Sequence, residues 1–280
     1  MSPYFSGILM KLLIAGCGYI GRAFGEDMAQ NGAEVWGLRR DWSKTKPAFH
    51  TIQADLLDPP SLKNLPPVDF LLICQSPSRE TDTYEDTYYR ATQNLLDAVW
   101  GERLKKIVLI STTGVYAATD GSWVDERNGA LDESSILLKT ERLVLRDGRP
   151  AMILRLGGIY GPGRNRIQAI KSDAFKPALS EDYTNRIHLD DVVSSIKLLF
   201  EKGRAGEIYL GVDDHPCTQC EFYTWLYDRL SLPAPVGGTD KMRAHGSNKR
   251  CSNKKIKALG LKFKYSSYIE GYEVLLKSSS

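Results

Sequence analysis

Apolar and polar positions change in blocks along the first half of the chain. Lys11–Ala15 is a short apolar run that meets glycines at once, and Arg22–Asn31 then spaces its apolar residues as a helix does. Glu34–Leu38, Thr51–Ala54 and Phe70–Cys74 predict three more strands. Thr83–Trp100 predicts a long helix, because Tyr84, Tyr88, Ala91, Leu95 and Val99 recur at three- and four-residue steps; Tyr84 and Tyr88 are expected on its packing face. Lys106–Ile110 is continuously apolar, as a strand buried on both faces is. Ser134–Arg146 reads as a helix capped by Asp132 or Ser134, and Ala151–Leu156 as a sixth strand. Strands alternating with helices predict βαβ units, hence an α/β, Rossmann-like doubly wound parallel sheet.

The rhythm changes at Gly161-Pro162-Gly163, a strong breaker. Helical stretches at Gln168–Lys171, Asp191–Glu201, Gln219–Leu230 and Asn253–Ala258 follow, with short strand-like pieces such as Glu207–Gly211 between them. Pro233, Pro235, Gly237 and Gly238 mark a loop. The expected organisation is a dinucleotide-binding domain over 1–163 and a small, partly interleaved C-terminal substrate-binding lobe over 164–280. Such a lobe belongs at the carboxyl ends of the strands, where open α/β sheets bind ligands. Residues 1–9 read as an extension ahead of a functional start at Met10.

Composition narrows the classes. The 280 residues are 42% hydrophobic and 25% charged, which suits a globular chain and not a disordered or collagen-like one. The net charge of +3 lacks the basic excess of a polyanion binder, so no nucleic-acid partner is expected. No apolar run approaches the roughly 18–20 residues of a membrane helix, so no membrane partner is expected either. Five cysteines without a framework suit a reducing cytoplasm. Cys217 and Cys220 form a lone CxxC; a zinc site needs about four ligands, so no metal is expected and the thiols are incidental to a helix start.

Gly16-Cys17-Gly18-Tyr19-Ile20-Gly21 follows a strand and opens a helix. The first glycine permits a tight turn, the second lets backbone N–H groups approach a pyrophosphate, and the third allows close helix–strand packing. The segment therefore predicts dinucleotide binding. At the end of the second strand, Arg39 and Arg40 stand where a carboxylate would bind the ribose 2′-hydroxyl of NAD. Guanidinium forks pair with phosphate oxygens, so NADP(H) is favoured over NAD(H). Asp55, with Leu56 beside it, is a candidate for the adenine edge; a loop cap is the alternative.

These residues resemble the extended short-chain dehydrogenase/reductase family, the NAD(P)-dependent epimerase/dehydratase group. Ser111-Thr112-Thr113-Gly114-Val115-Tyr116 is similar to its SSxxVYG strand motif, Arg155–Gly163 to its R…YGPG motif, and Asn185–Val192 to its IHVDDV segment. The resemblance implies that Thr112 hydrogen-bonds the substrate, that Gly158 and Ile159 lie beside the nicotinamide, and that Gln75 and Ser76 border the cofactor. It also implies a catalytic YxxxK pair, yet no tyrosine occurs between Tyr116 and Tyr160. Lys139 is the only lysine there, with Ser135 four residues before it; these are the candidates for the vacant roles. Loss of the phenol removes assistance that typically contributes about 10²–10⁴-fold. The chain is similar to the atypical branch that keeps the cofactor cradle and lacks this pair. Tyr84, Tyr88, Tyr89 and Tyr160 are phenols that would be its substitutes, and His188 reads as a structural anchor beside Asp190 and Asp191.

Nine lysines and arginines and no acidic residue lie between Lys241 and Tyr265, so the rest of the chain is mildly acidic. The run has few aromatics for base stacking and reads as a solvated face. Arg164, Arg166 and Arg186 lie in segments that border the substrate pocket in the family, which favours an anionic small-molecule substrate. Two functions follow as expectations: an oxidoreductase, epimerase or dehydratase with a non-standard acid/base, or a catalytically inactive cofactor-binding sensor or scaffold. Analogy also suggests a homodimer through the Thr83–Trp100 and Ser134–Arg146 helices.

Overall fold

The computed structural model describes residues 10–44, 46–77, 80–99, 104–177, 179–237 and 248–278. The suggested extension 1–9, Trp100, Gly238, Lys241 and Arg243 lie outside the described residues. In chain order the elements are β1 (Lys11–Ala15), α1 (Tyr19–Gln30), β2 (Glu34–Arg39), β3 (His50–Gln53), β4 (Phe70–Ile73), α2 (Ala91–Ala98), β5 (Lys106–Thr112), β6 (Trp123–Val124), α3 (Ile136–Arg146) and β7 (Ala151–Leu156). There follow β8 (Gly158–Tyr160), α4 (Ile167–Lys171), β9 (Tyr183–Thr184), β10 (Arg186–His188), α5 (Leu189–Lys202), β11 (Ile208–Gly211), β12 (Cys217–Thr218), α6 (Gln219–Arg229), β13 (Arg250–Cys251), α7 (Lys254–Leu259) and α8 (Tyr268–Ser278).

Seven strands form one sheet in the order β11-β7-β5-β4-β1-β2-β3. The pairs β1–β2, β1–β4, β2–β3 and β4–β5 are parallel, with Ile14 opposite Gly37 and Leu72. Ile153 N donates to Glu207 O and Gly157 N to Gly211 O, so β11 also runs with β7. The order reverses beside β1, which is the doubly wound pattern expected from the sequence.

The chain divides into two compact units. Unit 1 comprises Met1–Thr112, Glu133–Arg155 and Val193–Tyr209; unit 2 comprises Thr113–Asp132, Leu156–Val192 and Leu210–Ser280. In unit 1 the strand residues alternate between two apolar layers. Leu13, Ala15, Leu71, Ile73, Leu95 and Val144 belong to one cluster. On the other face Gly25 of α1 approaches Ile14, and Phe24 stacks on Phe200 of α5 at 5.9 Å. Unit 2 has a core of its own, rich in aromatics, from Tyr160, Ile167, Phe222, Tyr223, Tyr268 and Tyr272. There Tyr116, the tyrosine of the strand-five motif, is buried and donates to Asp125 O at 2.7 Å.

Three local expectations need correction. The helix expected over Thr83–Trp100 opens as a π-helical turn over Glu85–Arg90, and only Ala91–Ala98 is α-helical. Tyr84 is 45% exposed and leans on Tyr88 at 5.3 Å, so it is not on a buried packing face. The wider turn breaks the three- and four-residue spacing from which that face was read. The cap of α3 is Ser135 rather than Asp132 or Ser134: its extended backbone directly before Ile136 lets Oγ accept from Leu138 N. The last helix, α8, was not expected at all; two of its four buried residues are tyrosines and one is a glycine, and its exposed side carries Val274, which blurs the apolar stripe.

Candidate functional site

In unit 1 the glycine turn lies between the ends of β1, β2 and β4. Gly16 N and Cys17 N both donate to Leu38 O at 3.0 Å, which folds the turn against β2. Gly16 has φ +78, and a Cβ there would sit 2.3 Å from the Gln75 Cα. A Cβ on Gly21 would meet Ile14 Cγ2 at 2.8 Å, so this glycine sets the packing of α1 on the sheet. At Gly18 the nearest atom to such a Cβ is 3.8 Å away. Gly18 is exposed and precedes the first residue of α1, so packing within the protein does not require a glycine there. Tyr19 and Ile20 begin the helix whose amide end points there. Burial pushes the Cys17 thiol up to about 12, so it remains a neutral packing group.

The end of β2 treats its two arginines differently. Arg40 is held by Asp82 in a two-pronged ion pair, with contacts of 2.9 and 2.7 Å. Arg39 instead lies over the Trp42 ring at 5.3 Å, and Trp42 is fixed by donating Nε1–H to Ile52 O. Trp42 and Asp82 were missed in the sequence; Asp82 carries no local signal, being 42 residues from its partner. Asp55 Oδ1 accepts from Leu57 N at 3.0 Å, a loop-capping bond. Leu56 is buried, and its carbonyl accepts from Asn94. Gln75 closes over Gly16, donates to Thr92 Oγ1 at 2.7 Å, and leaves its own buried Oε1 without a partner among the described residues. Ser76 is exposed next to it. An open glycine, a helix amide end, a guanidinium on an indole and an orphaned amide oxygen fit a dinucleotide.

Farther along unit 1, Ser111 Oγ donates to Glu141 Oε1 at 2.5 Å, and Arg155 grips both oxygens of Glu141. Both charged side chains are 1% exposed. Thr112, half-buried, follows directly at the end of β5. Ser135 caps α3, and Lys139 is exposed on it, whereas Leu138, Thr140 and Glu141 turn inward.

In unit 2, Gly158 and Ile159 form β8 and pair in register with Arg186 and Ile187. His188 is buried between Tyr160 and Tyr265, and its Nδ1 accepts from Asp190 N at 3.2 Å. Burial lowers its pKa, so the imidazole is neutral and anchors the start of α5. Asp191 accepts from Lys264 N and Tyr265 N, fastening that segment to the same helix end. Tyr160 donates to Ser267 O, and burial raises its phenol far beyond neutrality. Lys249 is 2% exposed; its ammonium donates to Tyr116 O, and burial lowers its pKa. Cys217 and Cys220 straddle the capping Thr218 of α6, and no group of three or more His, Cys, Asp or Glu side chains among the described residues could hold a metal. No helix of the described residues is long and apolar enough to cross a membrane.

Asp213, also in unit 2, is 2% exposed, and burial pushes its carboxyl up to about 8. The folded chain therefore keeps a proton between about pH 4 and 8 that the unfolded chain releases, and stability falls as pH rises through that window. The slope is at most about 1.4 kcal/mol per pH unit. Asp213→Asn removes this linked proton, so its melting temperature should exceed the native one at pH 7.5 and approach it near pH 4. A native advantage that persists at pH 7.5 in calorimetry would reject the buried-acid description.

A model described as the NAD dependent epimerase/dehydratase family matches residues 12–210. Protein YeeZ of Escherichia coli (strain K12) is 28% identical over 241 residues, 81% of this chain and 86% of its own. A provisionally assigned NAD-dependent epimerase/dehydratase from Methylobacillus flagellatus is 31% identical, covers 97% of this chain and 99% of its own, and superposes with a TM-score of 0.80. DesIV, a dTDP-glucose 4,6-dehydratase from Streptomyces venezuelae solved with NAD and TYD bound, shares the fold at a TM-score of 0.80, with 22% identity and 96% coverage of each chain.

Proposed function

The chain belongs to the NAD dependent epimerase/dehydratase family, and from that premise we propose that it binds NADP(H) in preference to NAD(H) and works as an oxidoreductase or epimerase with a non-standard active site. The observation that carries the cofactor preference is Arg39 on Trp42 at the end of β2, where no carboxylate occupies the ribose-binding position. A guanidinium placed over an indole can offer its N–H groups to a 2′-phosphate. Arg40, held by Asp82, contributes field rather than a fork. The cradle would be Gly16, Gly18, Tyr19, Ile20 and Gly21, with Gln75 and Ser76 beside it. Bound there, the nicotinamide supplies a hydride donor or acceptor. Thr112 orients a carbonyl or hydroxyl of a small-molecule substrate by hydrogen bonding, and the reaction takes place in the cytoplasm.

A second reading, a cofactor-binding sensor or scaffold without turnover, draws on one observation: Ser135 spends its hydroxyl on the α3 cap and Lys139 is exposed. Turnover that disappears in Thr112→Val while NADPH affinity is kept would dismiss it.

The cofactor assignment is tested by thermal shift. Ligand at 100 times its dissociation constant adds about 2.7 kcal/mol of stability. NADPH should stabilise more than NADH at equal concentration, and Arg39→Asp should reverse the order. Equal shifts with both cofactors would refute the preference.

A further inference from the structure

Two asparagines stand directly before a glycine, Asn31 before Gly32 and Asn128 before Gly129, and all four residues are exposed. An asparagine so placed has a nucleophile next to it. The backbone nitrogen of the following residue, once deprotonated, attacks the side-chain carbonyl carbon, and a glycine puts no side chain in the way. At the second position the fold itself demands the glycine. Gly129 has φ +126, and a Cβ there would meet Val124 Cγ1 at 2.9 Å and Tyr116 Cδ1 at 3.0 Å.

The two pairs differ in what holds the attacking nitrogen. Asn31 is the C-cap of α1; its N donates to Asp27 O and Met28 O at 3.1 Å, and its Nδ2 to Asp27 O at 2.7 Å. Gly32 N donates to Ala29 O at 3.0 Å, which favours its protonated form and pins it to the helix end. Asn128 is bonded through N and Nδ2 to the Asp125 carboxylate, at 2.7 and 3.2 Å. Gly129 N, by contrast, has no hydrogen-bond partner among the described residues.

We propose that Asn128 is a site of spontaneous modification, converted in the folded protein to aspartate and isoaspartate, while the α1 end shields Asn31 from the same reaction. Gly129 N gives its proton to hydroxide and bonds to Asn128 Cγ. The Cγ–Nδ2 bond breaks, and ammonia leaves with a proton from water. Water then opens the five-membered imide at one of its two carbonyls. Opening at Cγ leaves aspartate; opening at the main-chain carbonyl leaves isoaspartate, whose main chain runs through the former side chain. Nothing is oxidised or reduced, and the site is independent of the cofactor.

The product loosens a clasp in unit 2. Asp125 Oδ1 accepts from Arg127 N and Asn128 N, and Oδ2 accepts from Asn128 Nδ2. These donors, Arg127 N foremost, hold the Asp125 carboxyl below its ordinary range. After modification Oδ2 faces a second carboxylate instead of an amide donor, and like charges repel. The same segment supports two others: Tyr116 donates to Asp125 O at 2.7 Å, and Glu126 Oε1 accepts from Leu210 N of β11 at 2.9 Å.

The test incubates the full chain at pH 8.5, folded and in parallel in urea. After digestion, aspartyl and isoaspartyl peptides are separated from asparaginyl ones and identified by mass. In urea the two asparagines should react alike. In the folded protein Asn128 should react at least about tenfold faster than Asn31, because only at Asn31 must a bond to the nucleophile open first. Asn31 reacting as fast as Asn128, or Asn128 as strongly protected by folding as Asn31, overturns the site. N128D reproduces the aspartyl product directly and should melt about 2–4 °C below the native protein. N128S, which loses the amide without gaining a charge, should fall less far. N128D melting with the native protein overturns the loosened clasp and leaves the peptide rates to decide the site.

Discussion

Glu141→Leu should destabilise the protein by about 3–5 kcal/mol, the cost of leaving one charge of a buried pair uncompensated. Arg155 cannot shed its charge in a protein, and at 1% exposure it has no water to turn to. Ser111 would lose its acceptor as well. The change is read as a drop in the urea midpoint at constant slope. Glu141→Leu combined with Arg155→Met should regain most of the loss, because a well-packed apolar pair of similar volume often matches a buried ion pair. A single variant within about 1 kcal/mol of native would mean that water reaches Arg155 and that the pair is not closed. The pair joins α3 to β5 and β7 directly before Thr112, so a damaged pair should also disturb Thr112.

Gly16→Ala and Gly18→Ala should part company. At Gly16 an alanine must adopt φ +78, costing about 1–2 kcal/mol. It must also push back the Gln75 backbone, which a Cβ would approach to 2.3 Å. Loss of fold stability and of NADPH binding together is the expected outcome. Gly18 has room for a methyl group, and Gly18→Ala should leave stability within about 0.5 kcal/mol. It should nevertheless weaken NADPH more than about tenfold, because the methyl occupies the approach of the pyrophosphate. Unfolding midpoints and NADPH titrations of both variants check this. A Gly18→Ala protein that binds NADPH as the native does would move the pyrophosphate away from this turn.

What could be read from the sequence was what local spacing encodes. The strands at Lys11–Ala15 and Ala151–Leu156 appear with the expected bounds, and β5 runs on to Thr112, two residues beyond the apolar run that predicted it. Each is short, apolar and bounded by breakers. The glycine turn was equally legible, since its glycines stand between an apolar strand and a helical pattern. Relations between distant residues were not. Nothing in Arg40 announces that Asp82 will take its fork, so two arginines looked alike that the fold separates. Ser135 and Lys139 share the spacing of a catalytic pair, but spacing alone does not reveal a cap and an exposed side chain. Asp213 looked like an ordinary loop acid in Val212-Asp213-Asp214-His215; only the fold buries one aspartate and pairs the next with Lys257.

The strand order also bears on how the chain is made. β7 is complete at Leu156, yet the strand that covers its free edge, β11, begins only at Ile208. A ribosome must therefore deliver all the intervening segments before the sheet acquires its last strand. Until then Met152, Ile153 and Leu154, fully buried in the finished protein, lie on an open parallel edge. A nascent chain paused in that interval offers neighbouring chains a ready template for misassembly, the moment at which a holding chaperone has most to protect.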